Sequence, residues 1–187
     1  LRDCCPPSLL RATKRLLAEP PITFKGFYKS WQEAANASTG YAQNDILEKV
    51  IASTLAVKNG TVAYERDSVV FDRIEYAWPL LSALLWTAAQ NQGCLRVLDF
   101  GGALGSSYFQ NRKFLNMLMN VQWGVVEQPH YVAHGKQLIE DEELKFFETI
   151  HDCADVIKPQ IILLFSVLQY LEQPLSFLQD LPQILPE

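Results

Sequence analysis

VLDFGGALG, residues 97–105, joins a short apolar run to a turn that contains three glycines. The apolar residues predict a strand over Leu95–Phe100, and the residues from Ser106 onward predict a helix. Glycine adopts positive φ and lets a ligand approach the backbone, so this junction is typical of a ligand-binding turn. The stretch therefore predicts an α/β fold whose binding site lies at the carboxyl end of this strand.

The residues around the turn distinguish between two classes of ligand. A dinucleotide places its pyrophosphate on a G-x-G-x-x-G turn, but counting from Gly101 this chain has Ala103 and Ser106 where the second and third glycines belong. The Asp99 carboxylate would repel a pyrophosphate. It suits a ligand with a cationic head, such as the amino group and sulfonium of S-adenosylmethionine.

Two further segments are expected to meet at the same edge of the sheet. A second strand over Trp123–Val126 ends at Glu127, 28 residues after Asp99. An acidic residue there accepts hydrogen bonds from ribose hydroxyls, which both ligand classes contain. A further strand over Ile161–Phe165 would place Ser166 to Tyr170 in the cleft beside the first strand.

The rest of the pattern alternates helices and strands, which predicts a doubly wound, mainly parallel sheet with the strand order 3-2-1-4. Helices are also expected over Asp45–Asn59, Val69–Asn91, Ser106–Met119, Tyr131–Ile139 and Leu175–Leu181, and a strand over Leu144–Ile150. Within Val69–Asn91, Pro79 predicts either a kink or the start of a new helix.

Composition excludes several classes of protein. The chain has 187 residues, 49% of them hydrophobic, and a net charge of −5, which is ordinary for a globular protein. The acidic balance argues against nucleic acid as a partner. No two of the four cysteines form a CxxC pair, and no histidine lies at ligand spacing from a cysteine, so we expect no metal site. We expect the thiols to be reduced and the protein to be cytoplasmic.

The motifs resemble those of the Rossmann-like, class I S-adenosylmethionine-dependent methyltransferases. VLDFGGALG is similar to the first motif of that superfamily, Glu127 matches the acidic residue after its second strand, and LLFSVLQYLEQP, residues 163–174, is similar to its fourth-strand motif. Ala103 departs from the usual middle glycine. Longer segments are similar to a family of uncharacterised bacterial methyltransferases: FKGFYKSWQEA (24–34), STGY (38–41), YERDSVVFD (64–72) and LDFGGALGSSYFQN (98–111).

The resemblance implies a cofactor and a set of contacts to it. It assigns the methionine end of S-adenosylmethionine to Asp99, Gly101, Gly102 and Gly105, the ribose to Glu127, and the border of the adenine to Gln128 and Ile150–Asp152. The acceptor would be a small molecule, and a base is needed only if it must lose a proton.

Candidates for contact with the acceptor are Tyr64, Arg66, His130 and Tyr170, with His130, Tyr170 and Asp152 as possible bases. Arg66 could hold an anionic acceptor from a lid. Two rival functions stay open: a nicotinamide-dependent oxidoreductase, which Asp99 disfavours, and an adenosyl-binding module without catalysis.

The domain prediction is a helical and irregular segment over residues 1–75, serving as a lid, followed by an incomplete Rossmann-like domain over 76–187. A short basic helix over residues 8–17 either docks on the protein or contacts anionic lipids weakly. The superfamily sheet has seven strands, whereas this sequence supplies four. The strand Ile161–Phe165 is apolar on both faces, which is typical of a central strand, but the order 3-2-1-4 leaves it at the edge of the sheet. We therefore expect the gene to continue past Glu187 with a further strand. We expect the present chain to self-associate and to be weak or inactive as an enzyme.

Overall fold

The structure, a computed structural model, describes residues 26–37 and 44–184. The chain divides into two compact units, residues 1–38 and 39–187. The described part of the first unit holds helix α1 (Trp31–Ala37), which buries none of its residues. The predicted helix at residues 8–17, with its membrane contact, and the whole STGY segment lie outside the described residues.

The second unit is α/β and contains a sheet of four parallel strands, as predicted. Its helices and strands are α2 (Asn44–Lys58), β1 (Tyr64–Arg66), β2 (Val69–Phe71), α3 (Trp78–Gln90), β3 (Cys94–Phe100), α4 (Ser106–Leu115), β4 (Asn120–Val126), α5 (Pro129–His134), β5 (Leu144–Phe147), α6 (Ile150–Ile157), β6 (Ile161–Leu163) and α7 (Pro174–Asp180). Among the described residues, no helix combines the length and the apolar character that crossing a membrane requires.

The strands lie in the order β5-β4-β3-β6. β3 pairs with β4 along its whole length, and its residues Val97–Asp99 also pair with β6. After β3 the chain adds β4 and β5 on one side, and then returns to place β6 on the other side. In such sheets ligands bind outside the carboxyl ends of the strands where this reversal occurs.

The central strand β3 is buried on both faces. Leu95 and Val97 belong to a large apolar cluster with α2, α3 and α4, whereas Leu98 packs into a smaller one with Cys153 and Ile157 of α6. Burial on both faces is normal for a parallel strand and explains its continuous apolar character. It also fixes the carboxyl end of β3, and with it Asp99.

Gly124 of β4 lies directly under α6. An added Cβ there would contact Cys153 Sγ and would lie 2.8 Å from Ile157 Cγ1. We therefore expect Gly124→Ala to lower the free energy of unfolding in urea by about 1–3 kcal/mol through overpacking. Because Cys153→Ala removes the sulfur, the double variant should lose less stability than the two single variants together. Strict additivity would contradict this account.

The predicted helix over Val69–Asn91 is wrong in its first part. Val69–Phe71 forms β2, which pairs antiparallel with β1. The turn residues Asp67 and Ser68 both have positive φ, 51° and 64°, which is the geometry of a tight two-residue hairpin. Two valines and a phenylalanine fit a strand once a partner is available, and the sequence pattern did not reveal that partner.

The second part of that prediction is right. Helix α3 begins at Trp78 with Pro79 in its first turn, so the proline starts a new helix rather than bending an existing one.

Several predicted elements are shorter in the structure. β5 ends at Phe147 because the Thr149 side chain accepts the Asp152 N–H at 3.1 Å and caps α6, which therefore includes Ile150. β6 ends at Leu163 rather than Phe165. α4 ends at Leu115 rather than Met119.

Candidate functional site

A cavity of about 870 Å³ opens at the carboxyl ends of the parallel strands. Four segments contribute most of its wall: the end of β3 with the glycine turn, the end of β4, the β1–β2 hairpin and the loop after β6. Their lining residues are Asp99–Ala103, Val126–Pro129, Tyr64–Ser68 and Phe165–Val167. The cavity thus lies where the strand order reverses.

The glycine turn leaves no space for side chains at two positions. A Cβ added at Gly102 would lie 2.5 Å from Asp99 Oδ2, and one added at Gly101 would lie 2.6 Å from Val167 Cγ2. Gly101 also has a φ of 73°, and its N–H donates to the Val126 carbonyl at 2.9 Å. Glycine at these positions lets the turn contact the Asp99 carboxylate and the loop after β6.

Asp99 is a fully buried carboxylate at the end of β3. Its side chain is only 1% exposed, and its Oδ2 accepts the Trp123 indole N–H at 3.1 Å. Burial and, to a smaller extent, the charge of Glu127 raise the pKa of Asp99, and the Trp123 hydrogen bond lowers it; together they bring this pKa to about 7. The site therefore disfavours the ionised carboxylate unless a cation is present.

Glu127 connects the end of β4 to the glycine turn. Its carboxylate accepts the Gln128 N–H at 2.8 Å, and it also accepts the backbone N–H of Ala103. Burial raises the pKa of Glu127, whereas these two hydrogen bonds lower it. These two hydrogen bonds hold the Glu127 carboxylate beside the glycine turn, on the wall of the cavity.

The hairpin contributes a second buried carboxylate, Glu65, which is 3% exposed. It accepts a hydrogen bond from the hydroxyl of Ser106, the first residue of α4, and another from the Ser68 N–H at 3.2 Å. Burial raises the pKa of Glu65. Glu65 is not among the candidates expected from the sequence, in which the neighbouring Arg66 is assigned to a lid. No local feature of the sequence indicates that Glu65 is buried, because this burial depends on contact with Ser106.

Most of the residues proposed from sequence lie on the cavity wall. They are Asp99, Gly101, Gly102, Glu127, Gln128, Ser166, Tyr64, Arg66 and Tyr170. Arg66 is exposed, and its Nε donates to the Tyr64 hydroxyl at 3.1 Å, with the guanidinium 5.7 Å from the Tyr64 ring centre. The Arg66 guanidinium therefore lies against the β1–β2 hairpin to which Arg66 belongs.

Two of the proposed residues lie outside the cavity lining. Gly105 precedes α4 with a φ of 91°, and an added Cβ would lie 3.0 Å from Leu144 Cδ2, so this glycine packs on the core. His130 lies in the first turn of α5 with its ring centre 4.9 Å from that of Tyr131. Its Nε2 is buried without a hydrogen-bond partner among the described residues.

The segment Ile150–Asp152, expected to border an adenine, forms the first turn of α6. The Asp152 carboxylate accepts the Thr149 hydroxyl at 2.6 Å and so takes part in capping this helix. It is Glu148, just before this turn, that lines the cavity.

The buried charges of the site are all negative. Glu65 and Asp99 are the buried charged residues of the described chain, and both line this cavity. Within the described ranges neither makes an ion pair; the ion pair found there joins Lys145 to Glu140. A buried charge without a counter-ion costs several kcal/mol, which a cationic ligand would offset.

In the described part of the chain, no group of three His, Cys, Asp or Glu side chains is arranged to hold a metal ion. Comparison of the chain with protein-family models, curated proteins and solved structures gave no match.

Proposed function

We propose that this protein is an S-adenosylmethionine-dependent methyltransferase acting on a small acceptor. The observation that carries the proposal is Asp99, a buried carboxylate without a counter-ion among the described residues, beside a glycine turn at the carboxyl end of the central strand. The proposal includes a Rossmann-like fold of three layers, in which the strands β5-β4-β3-β6 correspond to the order 3-2-1-4. It also includes a cytoplasmic location.

The residues on the cavity wall fit this cofactor. Asp99 would receive the cationic methionine end, and Gly101 and Gly102 would present backbone to it without side chains in the way. Glu127 would accept the ribose hydroxyls, and Gln128 would border the adenine. Gly105, which the resemblance also assigned to the cofactor, would act indirectly by shaping the start of α4.

The bound cofactor would supply an activated methyl group on a cationic sulfur. The chain's own residues then have three tasks: to hold the charged end, to orient the acceptor in line with the methyl group, and to exclude water. The hairpin and the loop after β6 line the same cavity and would orient the acceptor and exclude water.

The two rival functions fit the cavity less well. A nicotinamide cofactor would bring its pyrophosphate to the turn, next to the Asp99 carboxylate. A module that only binds an adenosyl group needs space for one ligand. This cavity is near the upper end of the usual ~300–1,000 Å³ range, and Glu65 adds a further buried carboxylate to its wall.

The direct test is binding of S-adenosylhomocysteine and NAD to the full chain. We expect S-adenosylhomocysteine to raise the melting temperature and NAD to leave it unchanged. Asp99→Ala and Glu127→Ala should each weaken binding by about 1–3 kcal/mol in calorimetry, the scale of a hydrogen bond to a charged group.

The matched control is Asp155→Ala, which removes an exposed carboxylate away from the cavity and should leave binding unchanged. Stabilisation by NAD without stabilisation by S-adenosylhomocysteine would reject the proposed function.

A further inference from the structure

Glu65 gives the cavity a further buried carboxylate that the cofactor does not explain. Asp99 and Glu127 come from the ends of β3 and β4, whereas Glu65 comes from the hairpin and accepts a hydrogen bond from the Ser106 hydroxyl. We propose that Glu65 forms the acceptor end of the site and binds a protonated amine, so that the acceptor is an amine. This inference rests on the proposed methyltransferase function.

The partners of Glu65 hold its carboxylate in place without neutralising it. Ser106 donates a hydroxyl and Ser68 donates a backbone N–H, both uncharged groups. Hydrogen bonds of this kind orient a buried carboxylate, but a cation is needed to balance its charge. An ammonium group supplies one positive charge and three N–H donors, which suit the unused lone pairs of the carboxylate.

The surrounding charges also favour a cation over an anion. In the part of the chain that the structure describes, the charged residues on the cavity wall are Glu65, Arg66, Asp67, Asp99, Glu127 and Glu148, which are five carboxylates and one guanidinium. The guanidinium of Arg66 is exposed and already donates to the Tyr64 hydroxyl. An anionic acceptor would therefore meet repulsion from buried groups and attraction only from an exposed one.

The chemistry of methylation at nitrogen uses the same carboxylate. The bound ammonium gives one proton to a Glu65 oxygen, which leaves a neutral amine with a free lone pair. That lone pair forms the new C–N bond while the C–S bond breaks, and sulfur keeps the bonding electron pair as a thioether. The product is a protonated secondary amine, and the protonated Glu65 returns its proton to water when the product leaves.

The test measures binding of a simple amine to the full chain saturated with S-adenosylhomocysteine. The probes are n-butylamine, which is protonated at neutral pH, and the matched 1-butanol and butyrate. Calorimetry should detect butylamine binding and no binding of the alcohol or the acid. Glu65→Gln should weaken butylamine binding at least tenfold, while Glu142→Gln, which removes an exposed carboxylate away from the cavity, should not change it.

Glu65→Asp provides a second variant that keeps the charge, and it should retain more amine binding than Glu65→Gln. Burial raises the pKa of Glu65, so butylamine binding to the wild type should strengthen with rising pH as Glu65 ionises while the amine stays protonated, and Glu65→Gln should lose the part of this pH dependence that Glu65 contributes. Butyrate binding, the absence of amine binding, or equal amine affinity in wild type and Glu65→Gln would each overturn the amine proposal. Failure to bind S-adenosylhomocysteine would instead overturn the proposed function.

Discussion

Asp99→Asn is expected to make the free protein more stable at pH 8, by about 2–4 kcal/mol. The pKa of Asp99 is about 7 in the folded protein, against 3.8 for an unburied aspartate. Each tenfold change in proton affinity is worth about 1.4 kcal/mol, so ionised Asp99 opposes folding by an energy of this size. Asparagine carries no charge, and its carbonyl can still accept the Trp123 indole N–H.

The sign of the pH dependence follows from the direction of this pKa difference. Between pH 3.8 and 7 the folded state binds more protons at Asp99 than the unfolded state does. The free energy of unfolding of the wild type therefore falls as the pH rises through this window. The advantage of Asp99→Asn should be greatest above pH 7 and should disappear below pH 4.

Urea unfolding of wild type and variant at pH 4 and pH 8 measures this difference directly. The indole N–H resonance of Trp123 provides a local readout, since it should titrate with a midpoint near 7 in the wild type and stay constant in Asp99→Asn. Equal stability of the two proteins at pH 8 would contradict the account of a destabilised buried carboxylate. The same variant should bind S-adenosylhomocysteine more weakly, so stability and binding change in opposite directions.

Gly102→Ala is expected to weaken binding of S-adenosylhomocysteine by roughly 5- to 150-fold. The added Cβ would lie 2.5 Å from Asp99 Oδ2 and 2.6 Å from Asp99 Cγ, so the carboxylate or the turn must move. Overpacking of this kind costs about 1–3 kcal/mol, and here the displaced group is the one that we propose receives the cationic end of the ligand.

Gly60→Ala is the matched control for this prediction. Gly60 has positive φ, 73°, which Gly102 does not, but no described residue lies within 4 Å of a Cβ added at Gly60, and Gly60 does not line the cavity. This control should lose about 1–2 kcal/mol of stability through backbone strain and bind as the wild type does. Wild-type affinity in Gly102→Ala would show that Asp99 does not depend on the glycine turn.

The sequence by itself determined the central strand, the glycine turn and the two acidic residues that follow neighbouring strands. These features depend on short stretches of chain: an apolar run of strand length, glycines that permit positive φ, and a carboxylate at each strand end. The parallel sheet could also be predicted, because strands separated by helices must return in the same direction. Asp99 and Glu127 were accordingly found, and both line the cavity.

Only the tertiary structure shows the part of the site that the β1–β2 hairpin contributes, including Glu65. β1 and β2 are three residues each, too short to be distinguished from a helix by periodicity, and they exist as strands because they pair with each other. Glu65 is buried because the hairpin meets Ser106, which lies 41 residues further along the chain. The burial of a charge depends on what folds against it, and local sequence carries no record of such a distant neighbour.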